Sequence, residues 1–299
     1  MNKKFDLIIK NGKVFYNNQF QIINVVINNG KIIEISKNIK TYKANKIIDA
    51  KNKIIIPGVV DVHFHVRAPS FPERGTVESE TKAAAKGGIT TLFEMPISNP
   101  CMSNAKVFKK RKKHFSDNTL INFAFIPALG RLTNSNLKNL INFGAIAFKV
   151  FTIAAPPNRK SEFDGLCFTK EGEILDALRH AKKSNLITIF HAEDQNLLNY
   201  FKKYEDKFEK SNPEIHNKTR PAIAEAIAIS KILNLNALVK TKIHIAHVTS
   251  ELSLDIISYF QKKGQDISAE TCPHYLFKTE TDVIKVGPFG KINPPIRSS

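Results

Sequence analysis

From residue 57 onwards, short apolar segments alternate with amphipathic ones, and this alternation restricts the fold more than any other feature of the sequence. Helical patterns include 76–88, 171–185, 222–235 and 250–264. Apolar strands followed by helices are typical of a parallel sheet whose two faces are both covered. Seven segments have the length and apolar content of buried strands: 59–66, 90–96, 120–129, 145–151, 186–193, 242–250 and 266–274.

This pattern predicts an α/β fold, a TIM-type (β/α)8 barrel with about seven of its eight units present. A doubly wound open sheet is the alternative, although no G-x-G-x-x-G motif follows the first of these strands. Residues 1–56 are different, because several short strand patterns follow one another there and Asn11-Gly12 and Asn29-Gly30 have the composition of hairpin turns. We therefore predict a small β unit over 1–56 and an incomplete barrel over 57–299.

The chain is strongly basic, with 45 Lys and Arg against 27 Asp and Glu and a formal charge of +18. Such a charge is compatible with nucleic-acid binding. However, the lysines are scattered along the chain and no known nucleic-acid-binding motif accompanies them. The densest run, KVFKKRKKH at 106–114, is predicted to be the solvated face of a helix. We expect no nucleic-acid partner.

The apolar runs are too short for a bilayer, which takes about 20 residues, and the N-terminus lacks the apolar core of a signal peptide. The three cysteines are odd in number, far apart and in no CxxC motif, so a disulfide framework is not expected. These features indicate a cytoplasmic protein without a membrane partner.

Histidines occur at or near the ends of several predicted strands. His63 and His65 in PGVVDVHFHVRAP (57–69) are two residues apart and share one face of a strand, while His191 and His247 end two later strands. In a (β/α)8 barrel the carboxyl ends of all strands meet at one mouth. Imidazoles that converge there predict a metal site, with zinc as the expected metal.

Side-chain alternation does not by itself tell which face of a strand lines the lumen. His247 shares a face with Ile243 and Ile245, whereas His244 has the opposite parity. We expect His247 to reach the mouth, because it lies at the strand end, and His244 to point toward the helices.

Lys149 lies inside the apolar segment AIAFKVF, where a charged amine is costly to bury. One interpretation is that its amine reaches out to the barrel mouth. The other is that the neutral amine reacts with carbon dioxide, giving a carbamate whose oxygens can bridge two cations. Two divalent metals at such a site polarise a carbonyl for hydrolysis.

Several motifs in this chain resemble those of the cyclic amidohydrolases: dihydroorotase, allantoinase and hydantoinase. They lie in family order and cover nearly the whole chain: PGVVDVHFHVR, ETKAAAKGGITTLFEMP, FKVF, FHAED, IAHVTS, ETCPHYL and KINPPIRS. The resemblance implies that a metal-bridging hydroxide attacks a ring amide. It also implies a sandwich-like N-terminal β unit that pairs with strands from the C-terminal part of the protein.

The resemblance further implies that His63 and His65 bind one metal, that His191 and His247 bind the second, and that carboxylated Lys149 bridges them. The family's catalytic aspartate follows strand eight, and its expected place lies beyond Ser299. We therefore expect the chain to be a fragment or a truncated product, and its full-length form to be a homo-oligomer.

The substrate is less clearly indicated. Arg67 matches the position at which dihydroorotases bind the substrate carboxylate, and Asn293 matches another of their substrate contacts. Against this, Ile97 stands where dihydroorotases usually have asparagine, and ETCPHYL is more similar to allantoinase. Dihydroorotase is therefore the first hypothesis, with an allantoinase or a hydantoinase-type enzyme as the alternative. A non-catalytic homologue acting as a partner subunit is a further alternative, which the five filled ligand positions disfavour.

Overall fold

The computed structural model describes residues 4–39, 42–207, 212 and 214–298. Small parts of the predicted N-terminal unit (1–3, 40 and 41) and of the predicted barrel (208–211, 213 and 299) therefore lie outside the described residues. The chain divides into two compact units, Met1–Val59 and Val60–Ser299.

The first unit contains one mixed sheet. Its strands are β1 (Lys4–Tyr16), β2 (Gln19–Asn28), β3 (Lys31–Ser36), β4 (Lys43–Asp49) and β5 (Ile54–Ile55). The order is β3-β2-β1-β4, and β5 also pairs with β1. Two antiparallel hairpins join β1 to β2 and β2 to β3, whereas β4 and β5 run parallel to β1.

The two Asn-Gly pairs behave differently. Asn29 and Gly30 have positive φ values of 50° and 69° and form the predicted turn between β2 and β3. Asn11 also has a positive φ, 65°, but it lies within β1, where the register with β2 shifts between Ile9 and Gly12. The prediction of a hairpin at Asn11-Gly12 is therefore wrong. The pair forms a β-bulge, which needs the same backbone conformation as a turn.

The second unit is built on two sheets. The first has the order β6 (Val59–Phe64), β7 (Ile89–Glu94), β8 (Asn122–Phe125). The second contains β9 (Ala147–Phe151), β10 (Ile187–His191), β11 (Ile243–Ile245) and β12 (Ile267–Ala269), all parallel and paired in chain order.

Parallel bridges from Phe125 to Ala145 and from Ala128 to Lys149 connect the two sheets. The prediction of an α/β fold with parallel sheets is confirmed. The order of the described strands follows the chain without the reversal that a doubly wound sheet requires.

Ten α-helices are described in the second unit, and they include the four helical patterns named above and the helix predicted at 106–114. They are α1 (Val77–Lys86), α2 (Ala105–Asn118), α3 (Asn134–Asn142), α4 (Glu171–Lys182), α5 (Gln195–Phe201), α6 (Glu214–Thr219), α7 (Ala222–Val239), α8 (Glu251–Lys262), α9 (Pro273–Phe277) and α10 (Glu280–Val286). The sequence NSNLKNLIN of α3 was not predicted as a helix, because asparagine favours turns over helix interiors. Its buried Leu137 and Leu140, three residues apart, explain why it is one.

The core shows which face of each strand lines the interior. Phe148 and Val150 of β9 belong to the apolar core that also contains buried residues of α4 and α7. Lys149, which lies between them, therefore points to the other side of the sheet.

The same reasoning overturns the expectation for His244. Ile243 and Ile245 pack in the core on the helix side, and His244 lies on the opposite, interior face with its Nδ1 2.8 Å from Ser268 Oγ. β11 ends at Ile245, and His247 has a positive φ of 42°. Strand parity thus does not extend to His247.

The basic run at 106–114 lies on α2 and is only partly a solvated face. Its lysines are exposed, but Phe108, Arg111 and Phe115 are buried in the helix face that packs on the sheet. The prediction of a solvated face is therefore wrong for Arg111, which is 2% exposed. Arg111 lies one helical turn from Phe108 and from Phe115, so its side chain is on the same buried face of the helix as theirs.

Residues Glu214–Val239 form the one stretch, among the described residues, that is long and apolar enough to cross a membrane by length and composition. This is weak evidence, because core helices of globular domains have the same composition. In this structure α7 packs against α4 and α8, and its Ile229, Ile232 and Leu233 are fully buried in the core.

Candidate functional site

Four histidines come together at the carboxyl ends of β6, β10 and β11. The ring centroids of His63 and His65 are 5.2 Å apart, those of His63 and His247 are 5.3 Å apart, and those of His191 and His247 are 4.7 Å apart. The strand ends thus bring together imidazoles that are up to 184 positions apart in the chain, from 63 to 247. The ring of His191 also stacks on Phe151 at 4.4 Å, which fixes the plane of the imidazole.

Two carboxylates orient two of these rings. Glu270 accepts a hydrogen bond from Nδ1 of His63, and Glu193 accepts one from Nε2 of His191 at 2.7 Å. A neutral imidazole carries one N–H, so these bonds place a lone pair on Nε2 of His63 and on Nδ1 of His191. Carboxylates hydrogen-bonded in this way are the usual support of metal-binding histidines.

The same lone pairs face other imidazole nitrogens. Nε2 of His63 is 3.3 Å from Nε2 of His65, and Nδ1 of His191 is 3.0 Å from Nε2 of His247. Two nitrogens that each lie at about 2.0–2.1 Å from a tetrahedral zinc ion are about 3.3 Å apart. The two histidine pairs therefore fit this donor spacing, although no group of three or more His, Cys, Asp or Glu side chains in the described residues is arranged as a complete metal site.

Lys149 is buried among these histidines. It is 1% exposed, and its Nζ is buried without a hydrogen-bond partner among the described residues. Burial lowers the pKa of Lys149 to about 7, although the negative charge of Glu270 acts in the opposite direction. A buried polar atom without a partner is unusual in a folded protein, so this amine indicates a missing group.

The histidines are held in their neutral form. Burial is the largest cause that lowers the pKa of His63, to about 4, and nearby Lys149 contributes to the same effect. Burial also lowers the pKa of His191 and His247. Neutral imidazole is the form that binds metals, so these rings can accept a cation at neutral pH.

The supporting carboxylates are ionised. Burial alone would raise the pKa of Glu193, but the hydrogen bond and charge of His191 and the charge of Arg220 lower it to about 2. Burial opposes ionisation of Glu270 as well, yet its hydrogen bonds with His244 and His63 hold its pKa far below the ordinary value.

A cleft of about 490 Å³ opens above the four histidines. Six of the seven predicted site residues line it, and Lys149 lies beneath it, between these rings. The predicted residues at the cleft are His63, His65, Arg67, His191, His247 and Asn293. A larger cavity of about 630 Å³ lies near the amino ends of β11 and β12, and none of the predicted site residues lines it.

The cleft carries positive charge. The guanidinium of Arg67 has no hydrogen-bond acceptor among the described residues, whereas Arg159, also at the cleft, donates to both carboxylate oxygens of Glu162. Burial and the neighbouring charge of Arg159 lower the pKa of Arg67. An unpaired guanidinium in a cleft is suited to bind a carboxylate through two parallel hydrogen bonds.

Sequence reasoning did not single out several residues that shape this site. Glu193 and Glu270 orient two of the histidines, and Arg220 donates to Glu193. Glu193 follows the strand-terminal His191 by two positions, and Glu94 is an acidic residue at the end of an apolar strand. A buried carboxylate so close to a strand end is the signal that could have revealed them.

The described fold and site can now be compared with known proteins. A family model described as dihydroorotase-like matches residues 52–253, about two thirds of the chain. The chain belongs to the dihydroorotase-like family. This confirms the resemblance to the cyclic amidohydrolase group.

Individual members of the family that resemble this chain have different names. The allantoinase of Bacillus licheniformis is 31% identical over 298 residues, which are 98% of this chain and 65% of that protein. The dihydroorotase of Staphylococcus aureus is 31% identical over 292 residues, 98% of this chain and 66% of that one. The structure of an L-hydantoinase (dihydropyrimidinase) from Arthrobacter aurescens superposes with a TM-score of 0.90 at 28% identity, covering 99% of this chain and 64% of that one.

This family member thus spans about two thirds of the length of these relatives. The relatives carry the names of three different enzymes. Membership therefore identifies the group, cyclic amidohydrolases, but it does not identify the substrate. The residues of the cleft are the remaining source of information on the substrate.

Proposed function

We propose that this chain carries the metal centre and part of the substrate site of a cyclic amidohydrolase, which opens a ring amide by hydrolysis. One observation supports this most directly: a buried lysine amine, which has no hydrogen-bond partner among the described residues, lies among four imidazoles at strand ends. A structural role accounts for one buried histidine, but it does not account for an unpaired amine beside imidazole lone pairs that two carboxylates orient.

The proposed centre holds two divalent cations, with zinc as the expected metal. His63 and His65 form one pair of ligands, His191 and His247 form the other, and Lys149 lies within reach of both. Bound cations of this kind polarise a carbonyl and supply a nucleophile from water at neutral pH.

Lys149 becomes an oxygen ligand by adding carbon dioxide. Its neutral amine forms a bond to the carbon of CO₂ and loses one proton, leaving an anionic carbamate. Burial favours this step, since it lowers the pKa of the amine to about 7 and leaves a large neutral fraction. The carbamate also removes the unpaired amine from the interior.

The chain's own residues supply orientation in this proposal. Glu270 and Glu193 keep the protons of His63 and His191 on the nitrogens that point away from the metals. Arg67 binds a carboxylate on the ring substrate, and Asn293, which also lines the cleft, offers an amide to the ring. These contacts hold the ring carbonyl beside the metal centre, and such positioning is how they contribute to catalysis.

A substrate with a carboxylate is the first candidate because the Arg67 guanidinium has no protein partner among the described residues. This favours a dihydroorotase-like reaction over the opening of allantoin or a hydantoin, whose rings lack that carboxylate. The alternative keeps support from the apolar side chain of Ile97, which lines the same cleft, and from the names of the relatives.

We also propose the finer fold. The seven strands in chain order support a TIM-type barrel, in which a further strand pairs with β6, the end strand of its sheet. The exposed Ile22 and Ile32 on the single sheet of the first unit support a sandwich-like arrangement with a second layer. Cytoplasmic location and homo-oligomeric assembly stay predictions.

Metal analysis tests the proposal. We expect about two zinc ions per chain after loading in bicarbonate and dialysis, and about one or fewer for Lys149→Ala. A histidine on α2, outside the site, provides the matched control His114→Ala, which should keep both metals. Fewer than about one zinc per wild-type chain would refute the metal centre and support a non-catalytic homologue.

Substrate assays then separate the ring classes. Arg67→Ala should keep its zinc but weaken the binding of dihydroorotate at least tenfold, the order expected for one charged hydrogen-bonded contact. Near-normal binding of dihydroorotate by this variant, or a wild-type chain that binds allantoin and ignores dihydroorotate, would refute the dihydroorotase assignment and leave the metal centre intact.

A further inference from the structure

A buried ion pair lies beneath the chain segment that follows His63 and His65. Glu94, the last residue of β7, is 0% exposed, and Arg111 of α2 is 2% exposed. Nη2 of Arg111 donates to Oε1 of Glu94 at 2.5 Å. A buried ion pair is not by itself stabilising, because an apolar pair of similar volume often serves the core as well. Its other contacts therefore indicate what this pair does.

Three of those contacts go to the backbone of three consecutive residues, 66–68, while Nη1 of Arg111 also donates to the carbonyl oxygen of Met95 at 3.3 Å and contacts the sulfur of Met102. Glu94 accepts hydrogen bonds from the backbone N–H of Val66 at 3.0 Å and from that of Arg67 at 3.1 Å. Nε of Arg111 donates to the carbonyl oxygen of Ala68 at 3.2 Å. The pair thus holds every residue of the segment by one backbone group.

The segment held in this way has a strained backbone. Arg67 has φ 63°, in the left-handed region that residues with a Cβ rarely adopt. Such a conformation persists only when surrounding contacts enforce it. Here it lies between His65 and the buried Ala68, and it directs the Arg67 side chain to the cleft.

We propose that Glu94 and Arg111 are positioning residues, which hold the 66–68 backbone so that the Arg67 guanidinium is presented to the substrate carboxylate. The effect on the backbone is independent of what the chain binds. Only the identification of the ligand as a carboxylate rests on the proposed function.

Three variants separate positioning from packing. Glu94→Met/Arg111→Met removes both charges together, so no unpaired charge stays in the core, but it also removes the acceptor for two backbone N–H groups. Arg111→Lys keeps a positive charge beside Glu94 but loses the Nε donor that binds the carbonyl oxygen of Ala68. Lys110→Met, on the exposed side of the same helix, is the matched control for loss of charge.

The first measurement is amide hydrogen exchange on the full chain, read from peptides that span residues 63–69. We expect the double variant to lose protection in this segment by at least about tenfold, while protection of β9 and β10 is kept. Arg111→Lys should show the same loss to a smaller degree, and Lys110→Met none. Unchanged protection of 63–69 in a folded double variant would overturn the proposal. If the double variant does not fold, Arg111→Lys decides by the same criterion.

The second measurement is ligand binding by the zinc-loaded chain. Supporting residues of this kind typically change affinity about 10- to 100-fold. We expect a loss in that range for dihydroorotate and a change below about threefold for 5,6-dihydrouracil, the same ring without the carboxylate. Equal losses for both rings would show a general packing effect and overturn the positioning role.

The two measurements also distinguish failure of this inference from failure of the proposed function. If the wild-type chain binds neither ring, the proposed function fails, and hydrogen exchange still decides whether the pair holds the segment.

Discussion

Replacing Lys149 with methionine should change how the stability of the metal-free chain depends on pH. In the unfolded chain the amine has its ordinary pKa of 10.5, whereas in the folded chain burial lowers the pKa to about 7. The folded state therefore binds fewer protons between these two values, and its stability rises with pH across that window. Stability is lowest below about pH 7, where folding requires either a buried charge or the loss of a proton.

The magnitude follows from the difference between the two pKa values. A pKa lowered from 10.5 to about 7 corresponds to a cost of about 5 kcal/mol at about 1.36 kcal/mol per pKa unit. Most of this cost applies at pH 7, and about 2 kcal/mol of it disappears between pH 7 and pH 9. Methionine has similar length and no charge, so Lys149→Met should abolish this part of the pH dependence.

The assay is urea unfolding followed by circular dichroism, since the chain contains no tryptophan. Metals are removed with a chelator and carbon dioxide by sparging, because a metal ion would bind the amine and carbon dioxide would react with it. Between pH 7 and pH 9 the free energy of unfolding of wild type should rise by about 2 kcal/mol more than that of Lys149→Met. Lys138→Met, an exposed position on α3, serves as the matched control and should follow wild type.

A difference below about 0.5 kcal/mol between wild type and Lys149→Met, well under the shift expected from linkage, would refute the reasoning. It would mean that the amine stays charged and solvated in the folded chain, as an amine that reaches the barrel mouth would be. The carbamate proposal would then lose its physical support, although the histidine pairs would be unaffected.

Three further outcomes are expected. Glu193→Ala should weaken zinc binding about 10- to 100-fold in a competition assay, because the His191 ring loses the acceptor that orients it; unchanged affinity would contradict this role. Phe108→Ala should lower the free energy of unfolding by about 3–5 kcal/mol, since Phe108 is fully buried against Phe125; urea midpoints would show it, and a loss below 1 kcal/mol, far under that range, would contradict it. Thr76→Ala should cost about 0.5–2 kcal/mol by removing the N-cap of α1, and an unchanged melting curve would exclude this contribution.

The order of strands and helices could be predicted from the sequence because it depends on local periodicity. Apolar runs and turn residues act over a few positions, and each predicted strand of the second unit overlaps an observed one. The ends were predicted less well. The predicted segment 266–274 contains only β12 (Ile267–Ala269), and α9 begins at Pro273, because after Ala269 the chain leaves the sheet and forms part of the cleft.

Residue types at the candidate site were also predictable, since two histidines on one strand face and a lysine inside an apolar strand are conspicuous by themselves. The face on which each side chain lies was not predictable for β11. His244 shares the interior with Lys149, because the core on the helix side takes Ile243 and Ile245. His247 reaches the centre through a left-handed residue beyond the strand end, where alternation no longer applies.

By itself, then, the sequence determined the α/β class, the family to which the chain belongs and the residues that could bind metal, since these depend on local pattern and on residue chemistry. Only the tertiary structure decided how those residues are supported. Glu270 lies beside His63 although 207 positions separate them, and Arg111 is buried within a run of exposed lysines. Both follow from packing between distant segments. Burial there determines which ionisable side chains are neutral, which form ion pairs, and which backbone groups they bind.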